Sequence, residues 1–84
     1  MPDYRLSRAA EDDLRSLLTF GIERFGAEQT RRHADGLLAR LDRIALSPLQ
    51  FPAVDDIRPG YRRAVYRGHV IYFRAAPEGV LIMR

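Results

Sequence analysis

Two stretches of the chain carry apolar residues at helical spacing. The first follows Ser7, a residue type that caps helix N-termini well, and it ends at Gly26, a residue type that favours the positive φ of a helix end. Its apolar stripe, with steps of three and four residues, consists of Ala10, Leu14, Leu17, Leu18, Gly21 or Ile22, and Phe25. The pattern predicts a helix between Ser7 and Gly26 with one face in the core.

The second stretch has the same periodicity and ends at Ser47-Pro48, because proline disfavours helix at the preceding residue. Its stripe consists of Ala34, Leu37, Leu38, Leu41, Ile44 and Ala45. The short link at Gly26 predicts that the two helices are antiparallel neighbours. Gly36 costs about 1 kcal/mol relative to alanine inside a helix, which indicates close packing at that position.

The remaining segments alternate with a period of two. Tyr4–Leu6 predicts a short first strand, and three more strands are predicted after the Pro59-Gly60 turn, at residues 61–66, 69–74 and 80–84. Short turns between the last three make them antiparallel hairpins. We therefore predict an α+β fold of order β-α-α-β-β-β, with a helical hairpin packed on a small, mainly antiparallel sheet.

The last strand is apolar on both faces, from Val80 to Met83. Helices on one side of a sheet would bury only alternate residues. A further segment or a partner chain covers the second face under one interpretation. Under the other, the strand is central and neighbouring arginine stems screen its outer side.

Composition narrows the choice of function. The 84 residues suit one domain, and the absence of cysteine excludes disulfides, thiolate catalysis and cysteine-based metal sites. With only two histidines, we predict neither a metal site nor a cofactor. No apolar run is long enough for a membrane span and no signal core is present, so we expect a cytoplasmic protein.

All 14 basic residues are arginine, and their distribution is uneven. Between Ile57 and Ala76 there is no acidic residue, but there are five arginines, namely Arg58, Arg62, Arg63, Arg67 and Arg74. Such a segment creates a positive field that attracts an anionic partner, either nucleic acid or an acidic protein. A solvated strand face is the simpler alternative.

Five segments in order resemble one known family. They are YRLSRAAEDDL at residues 4–14, RFG at 24–26, Pro48, IRPGYRR at 57–63 and GHVIYFR at 68–74. Together they resemble the ParE toxins of the RelE/ParE superfamily. The resemblance implies the same β-α-α-β-β-β fold, a ParD-type antitoxin encoded beside the toxin, and inhibition of DNA gyrase by protein contact instead of RNA cleavage.

The same resemblance bears on the extent of the domain. Residues 1–84 are expected to form a single RelE/ParE-like toxin domain. Family members usually continue past the last strand with a Val-Leu-His-x-Arg-like segment that the resemblance links to toxicity. This sequence stops at Arg84, so we expect it to lack that tail.

Catalysis is the less favoured interpretation. A ribonuclease needs a proton acceptor, a proton donor and positive charge at the phosphate. The candidate acids and bases are His69, Tyr61, Tyr66 and Tyr72, and the lysine cluster of RelE-like ribonucleases is absent. We therefore assign no catalytic residue, and we keep a RelE-like ribosome-dependent mRNA interferase as the alternative. Direct nucleic-acid binding is a further, less favoured possibility.

Two sets of contact residues are expected. The candidates for target binding are Arg58, Arg62, Arg63, His69, Arg74 and Arg84. The candidates for antitoxin binding are Phe20 and Ile22, as exposed apolar positions bordering the helical stripe, and the strand residues Val80 and Ile82. His33 lies among helix charges and is expected to be exposed, whereas His69 is expected to hydrogen-bond a loop backbone.

Overall fold

The helical hairpin has the predicted boundaries. A computed structural model describes residues 3–77 and 79–84. Helix α1 spans Arg8–Phe25 and helix α2 spans Ala27–Leu46. Gly26 alone joins them with a φ of 88°, a conformation that glycine adopts at no steric cost. No helix in this described part of the chain has both the length and the apolar character that crossing a membrane requires.

The sheet has four strands and confirms the predicted fold class. Strand β1 spans Tyr4–Leu6, β2 Arg62–Tyr66, β3 His69–Ala76 and β4 Gly79–Ile82. The spatial order is β1-β4-β3-β2, in which β1 pairs parallel to β4 and the other two pairs are antiparallel. Between α2 and β2 lie a 3₁₀ turn at Pro48–Gln50 and an isolated bridge from Ala53 to Arg62.

The core lies between α2 and the inner face of the sheet. Phe73 and Ile44 are completely buried, and the Phe51 ring packs edge-on against Phe73 with centroids 5.7 Å apart. Helix α1 contributes less than its stripe predicts. Only Ala10 and Gly21 of this helix are buried, while Ile22 and Phe25 are 52% and 54% exposed. Of the stripe's alternative members Gly21 and Ile22, Gly21 is the buried one, and the stripe leaves the core at Phe25.

The position of β4 explains why both of its faces are apolar. Val80 and Ile82 face the helices, whereas Leu81 lies on the outer side, between Arg5 of β1 and Arg74 of β3. Leu81 is half-buried. This register agrees with the interpretation of β4 as a central strand whose outer side is screened by arginine stems.

Ser7 ties the start of α1 to the end of the sheet. Its hydroxyl oxygen accepts a hydrogen bond from the Ala10 N–H at 3.1 Å and its hydroxyl donates to the Met83 carbonyl at 2.8 Å. The Ser7 N–H also donates to the Ile82 carbonyl. One side chain thus caps the helix and holds the chain beyond β4.

We expect Ser7→Ala to lower the free energy of unfolding by about 1–2 kcal/mol, because both side-chain hydrogen bonds are lost. Urea denaturation measures the effect, with Ser16→Ala, an exposed position in the middle of α1, as the control. Equal stabilities of the two variants would show that the Ser7 hydroxyl has no capping role.

Gly36 allows the Tyr66 side chain to lie across α2, as the cost of a mid-helix glycine suggested. A Cβ at position 36 would overlap the Tyr66 hydroxyl oxygen. Tyr66 cannot move away freely, since its ring lies 5.5 Å from the His33 ring and has the guanidinium carbon of Arg40 5.8 Å from its centroid. The glycine therefore has a packing role.

We expect Gly36→Ala to destabilise the wild-type protein by about 1–2 kcal/mol, despite the better helix propensity of alanine, because the clash displaces Tyr66. In a Tyr66→Phe background, most of this cost should disappear, because the overlapping oxygen is gone. A double-mutant cycle in urea measures the coupling. Additive effects of the two changes would contradict this account of Gly36.

Candidate functional site

The outer side of the sheet carries arginines from three strands. Side chains alternate along a strand, so Arg63, Tyr72 and Arg74 point away from the helices. Arg63 is opposite Tyr72, and Leu81 is flanked by Arg74 and Arg5. We call this surface, consisting of Arg5, Arg63, Tyr72, Arg74 and Leu81, the arginine face.

Arg63 and Arg74 differ in their partners from Arg15, Arg31 and Arg32 of the helices. Both are exposed, and neither has an ion pair with a carboxylate among residues 3–77 and 79–84. On the helical hairpin, by contrast, three arginines pair with carboxylates three or four residues away, as Arg15–Asp12, Arg31–Glu28 and Arg32–Glu28. The positive charges of Arg63 and Arg74 are therefore available to an anionic group.

The other arginine candidates do not lie on this face. Arg62 points to the helix side, where its Nη1 donates to the Phe51 carbonyl at 2.7 Å. The Nε of Arg84 lies 3.6 Å from Oδ2 of Asp13 on α1. Arg58 lies in the loop before β2, its guanidinium carbon 5.7 Å from the centroid of the Tyr61 ring. Strand alternation thus sends neighbouring arginines to opposite sides, so the arginines predicted for target binding do not form one continuous surface.

The two histidines meet inside the fold, which corrects both expectations about them. His69 lies on the helix side of β3, and its ring centroid is 5.2 Å from that of His33 on α2. His69 therefore packs on an imidazole and not on a loop backbone. His33 is half-buried instead of exposed, and its Nε2 is shielded from solvent.

The candidate acids and bases do not gather around Arg63 and Arg74. Tyr66 and His69 lie on the helix side and Tyr61 precedes β2, so that Tyr72 alone of these four shares the arginine face. Burial raises the pKa of the Tyr4 phenol, and the Asp42 and Asp3 carboxylates raise it further, but Tyr4 is on the inner side of the edge strand β1. In the described residues, no group of three histidine or acidic side chains could hold a metal ion.

A second candidate surface is apolar and lies at the C-terminal half of α1. Phe20, Ile22 and Phe25 are each more than half exposed, and the guanidinium carbon of Arg24 lies 5.9 Å from the centroids of both phenylalanine rings. A cavity of about 430 Å³ opens beside Phe20, between α1 and the sheet. Its apolar walls include Leu6, Leu14, Leu17, Leu37, Leu41 and Ile71. We call Phe20, Phe25 and this cavity the helical groove. Ile22 is two residues from Phe20 and lies on the other flank of α1.

Of the two strand residues predicted as antitoxin contacts, Val80 lies outside this groove, whereas Ile82 lines its cavity. Val80 and Ile82 are only 4% and 3% exposed, because they lie on the helix-facing side of the central strand and belong to the core. These two strand residues therefore offer little surface to a partner in this structure. Phe20 and Ile22 are exposed, as predicted for them.

These features define a small α+β protein with one basic sheet face and one apolar helical groove. Residues 4–84 match the family model described as "ParE toxin of type II toxin-antitoxin system, parDE". The chain belongs to this family of toxins.

Individual relatives agree with this assignment. Toxin ParE1 of Caulobacter vibrioides is 38% identical over 74 residues, which cover 88% of this chain and 77% of the relative. Toxin ParE1 of Mycobacterium tuberculosis is 33% identical over 78 residues, covering 93% and 80%. A chain of the solved structure "Chromosomal ParDE TA system from P. aeruginosa" superimposes with a TM-score of 0.82 over 100% of this chain and 92% of its own, and at 17% identity it shows the shared fold.

Proposed function

We propose that this toxin acts in the cytoplasm by binding DNA gyrase through its arginine face, and that a ParD-type antitoxin neutralises it by covering the helical groove. Membership of the ParE toxin family supports both partners. The two surfaces have different chemistry, since one is basic and the other is apolar. They can therefore serve two different proteins.

One observation carries the proposal of contact without catalysis. Arg63 and Arg74 are exposed and have no described carboxylate partner, and the imidazole of His69 lies on the opposite side of the sheet. General acid–base catalysis requires the proton-transfer groups to be within hydrogen-bond reach of the substrate that the arginines would hold. Binding an anionic surface requires the arginines alone.

A supercoiling assay tests the proposal. The purified chain should inhibit ATP-dependent supercoiling of a relaxed plasmid by gyrase, and the antitoxin encoded beside it should restore the activity. Full supercoiling in the presence of a large excess of folded toxin would refute gyrase as the target.

A second candidate function rests on Tyr72, whose phenol lies on the same face as Arg63 and Arg74. This arrangement favours ribosome-dependent mRNA cleavage as the alternative, with Tyr72 as the proton-transfer group. Tyr72→Phe separates the two functions. Under our proposal, growth inhibition by the variant should equal that of the wild type within about twofold, because no proton is transferred. A loss of about a hundredfold or more, with cleavage of ribosome-bound mRNA by the wild type, would support the interferase instead.

A further inference from the structure

The outer edge of β2 is paired along only part of its length. Strand β2 is the last in the sheet order, so no strand lies beyond it. The segment before β2 covers the first half of this edge, where the Arg63 N–H donates to the Pro52 carbonyl at 3.0 Å and Ala53 bridges to Arg62. Further back, this segment turns as the 3₁₀ helix Pro48–Gln50 instead of continuing along the strand. The second half of the edge is therefore open.

The backbone of Val65 points to this open half. In an antiparallel pair, alternate residues turn their N–H and carbonyl groups toward and away from the neighbouring strand. The hydrogen bond from Arg63 to Pro52 shows that Arg63 and Val65 point away from β3. The two-residue turn agrees, because Arg67 and Gly68 both have positive φ and such a turn closes on a hydrogen-bonded pair. In the described part of the chain, the Val65 N–H and carbonyl have no backbone partner.

The side chains around the open edge are apolar and basic. Val65 and Val70 are opposite each other on β2 and β3, and they are 52% and 44% exposed. Their backbones do not hydrogen-bond each other, a type of pair in which the side chains approach closely, so the two valines form one apolar patch. Arg63 and Arg67 lie two residues before and two residues after Val65, and both are exposed. Neither arginine has an ion pair with a carboxylate of the described ranges.

The chemistry of this edge favours an extended, acidic peptide segment. An unpaired donor and an unpaired acceptor on one residue of an edge strand are satisfied together by the backbone of an added strand. Carboxylates on that strand would pair with Arg63 and Arg67, and an apolar side chain between them would contact Val65 and Val70. A second copy of this chain is disfavoured, because two-fold pairing centred on Val65 would place Arg63 of one copy opposite Arg67 of the other.

We propose that the gyrase surface bound by this toxin includes an extended acidic segment, which adds to the β2 edge at Val65 as a further strand. The inference rests on the proposed function, because it takes gyrase as the partner of the arginine face. Arg63 connects the two surfaces, since its side chain is on the arginine face and it precedes Val65 on the same strand. The target is thus held by backbone hydrogen bonds as well as by charge.

Val65→Pro removes the unpaired N–H and leaves the ladder to β3 intact, since proline is tolerated where the N–H of an edge strand faces solvent. We expect this variant to inhibit gyrase about tenfold less strongly, because a backbone hydrogen bond is lost and the proline ring hinders the added strand. Val65→Thr keeps the N–H, the shape and the strand propensity of valine, so its inhibition should stay within about threefold of the wild type. Equal inhibition by all three proteins, or equal losses in both variants, would overturn the inference.

Amide exchange in the wild-type chain tests the same contact without a substitution. The free toxin should exchange its Val65 amide hydrogen fast, and binding to gyrase should slow this exchange by at least about tenfold. The Arg63 amide is already bonded to the Pro52 carbonyl, so it should exchange slowly in both states and serves as the internal control. Mass spectrometry with peptide fragmentation resolves the two amides. Unchanged exchange at Val65 in the gyrase complex would contradict strand addition, even if Val65→Pro failed to fold.

The outcomes separate this inference from the proposed function. Inhibition of gyrase by the wild type without slower exchange at Val65 would remove the strand addition and leave the proposed function standing. Absence of any inhibition would remove both. Slower exchange at Val65 in the antitoxin complex, but not in the gyrase complex, would show that the antitoxin and not the target adds to this edge.

Discussion

Replacing both Arg63 and Arg74 by glutamate should weaken inhibition of gyrase by at least about a hundredfold. Each arginine can make charge-assisted hydrogen bonds worth about 1.5–3 kcal/mol, and the new carboxylates would also repel an anionic surface. The measurement is the toxin concentration that halves supercoiling. Both side chains are exposed on the sheet surface, so the fold should tolerate the change.

The matched control reverses the same number of charges on the other side of the molecule. Arg15→Glu with Arg31→Glu changes two exposed arginines of the helical hairpin and should leave inhibition within about threefold of the wild type. If the two double variants lose inhibition equally, then total charge and not the arginine face determines target binding. Unchanged inhibition by the Arg63 and Arg74 variant would show that these arginines only solvate the sheet.

The second large effect concerns the antitoxin. Phe20→Asp combined with Phe25→Asp should lower antitoxin affinity by at least about a hundredfold, because two apolar side chains no longer become buried and two carboxylates would be buried in their place. Isothermal titration calorimetry with the ParD-type antitoxin measures the change. Inhibition of gyrase should remain, because the arginine face is unaltered.

Leu49→Asp provides the control for this experiment. Leu49 is 72% exposed in the 3₁₀ turn after α2, outside the helical groove, and its replacement should leave antitoxin affinity within about threefold. If the Phe20 and Phe25 variant binds the antitoxin normally, the helical groove is not the antitoxin site. Equal losses in the control would point to a general effect of acidic substitution.

Local sequence signals predicted the fold well because each element has its own boundary residue. Ser7 caps α1, Gly26 separates the helices, and Asp55 closes the loop before β2 by accepting a hydrogen bond from the Gly60 N–H at 2.9 Å. The order of strands in the sheet, unlike the boundaries of the elements, has no local sequence signal. It depends on contacts between distant parts of the chain, and the central position of β4 was one of two interpretations.

The candidate site was predicted less completely, since charge is visible in a sequence but the side of the sheet is not. Arg62 and Arg63 are adjacent, yet one bonds the Phe51 carbonyl on the inner side and the other is exposed on the arginine face. The strand register decides which of these two arginines faces outward, and a shift of one residue would exchange their sides. The same alternation of side chains places Val80 and Ile82 on the buried side of β4.

A second cavity of about 330 Å³ lies between α1 and α2, and Thr30 and His33, which border it, had a weak signal in the sequence. Thr30 continues the spacing of Ala34, Leu37, Leu41 and Ile44, so a polar residue occupies a core position of α2. His33 lies one helical turn before Leu37 and was assigned to the charged side. Only the packing of α1 against α2 shows that both residues border a cavity.

The most direct test of contact without catalysis is a titration of a fixed amount of gyrase with the toxin. We predict that supercoiling falls in proportion to the toxin bound, that inhibition saturates at a fixed ratio of toxin to gyrase, and that added antitoxin reverses it. Complete loss of supercoiling at toxin concentrations far below that of gyrase would contradict the account, because it would indicate catalysis. Unchanged supercoiling at every ratio, together with cleavage of ribosome-bound mRNA, would contradict it as well.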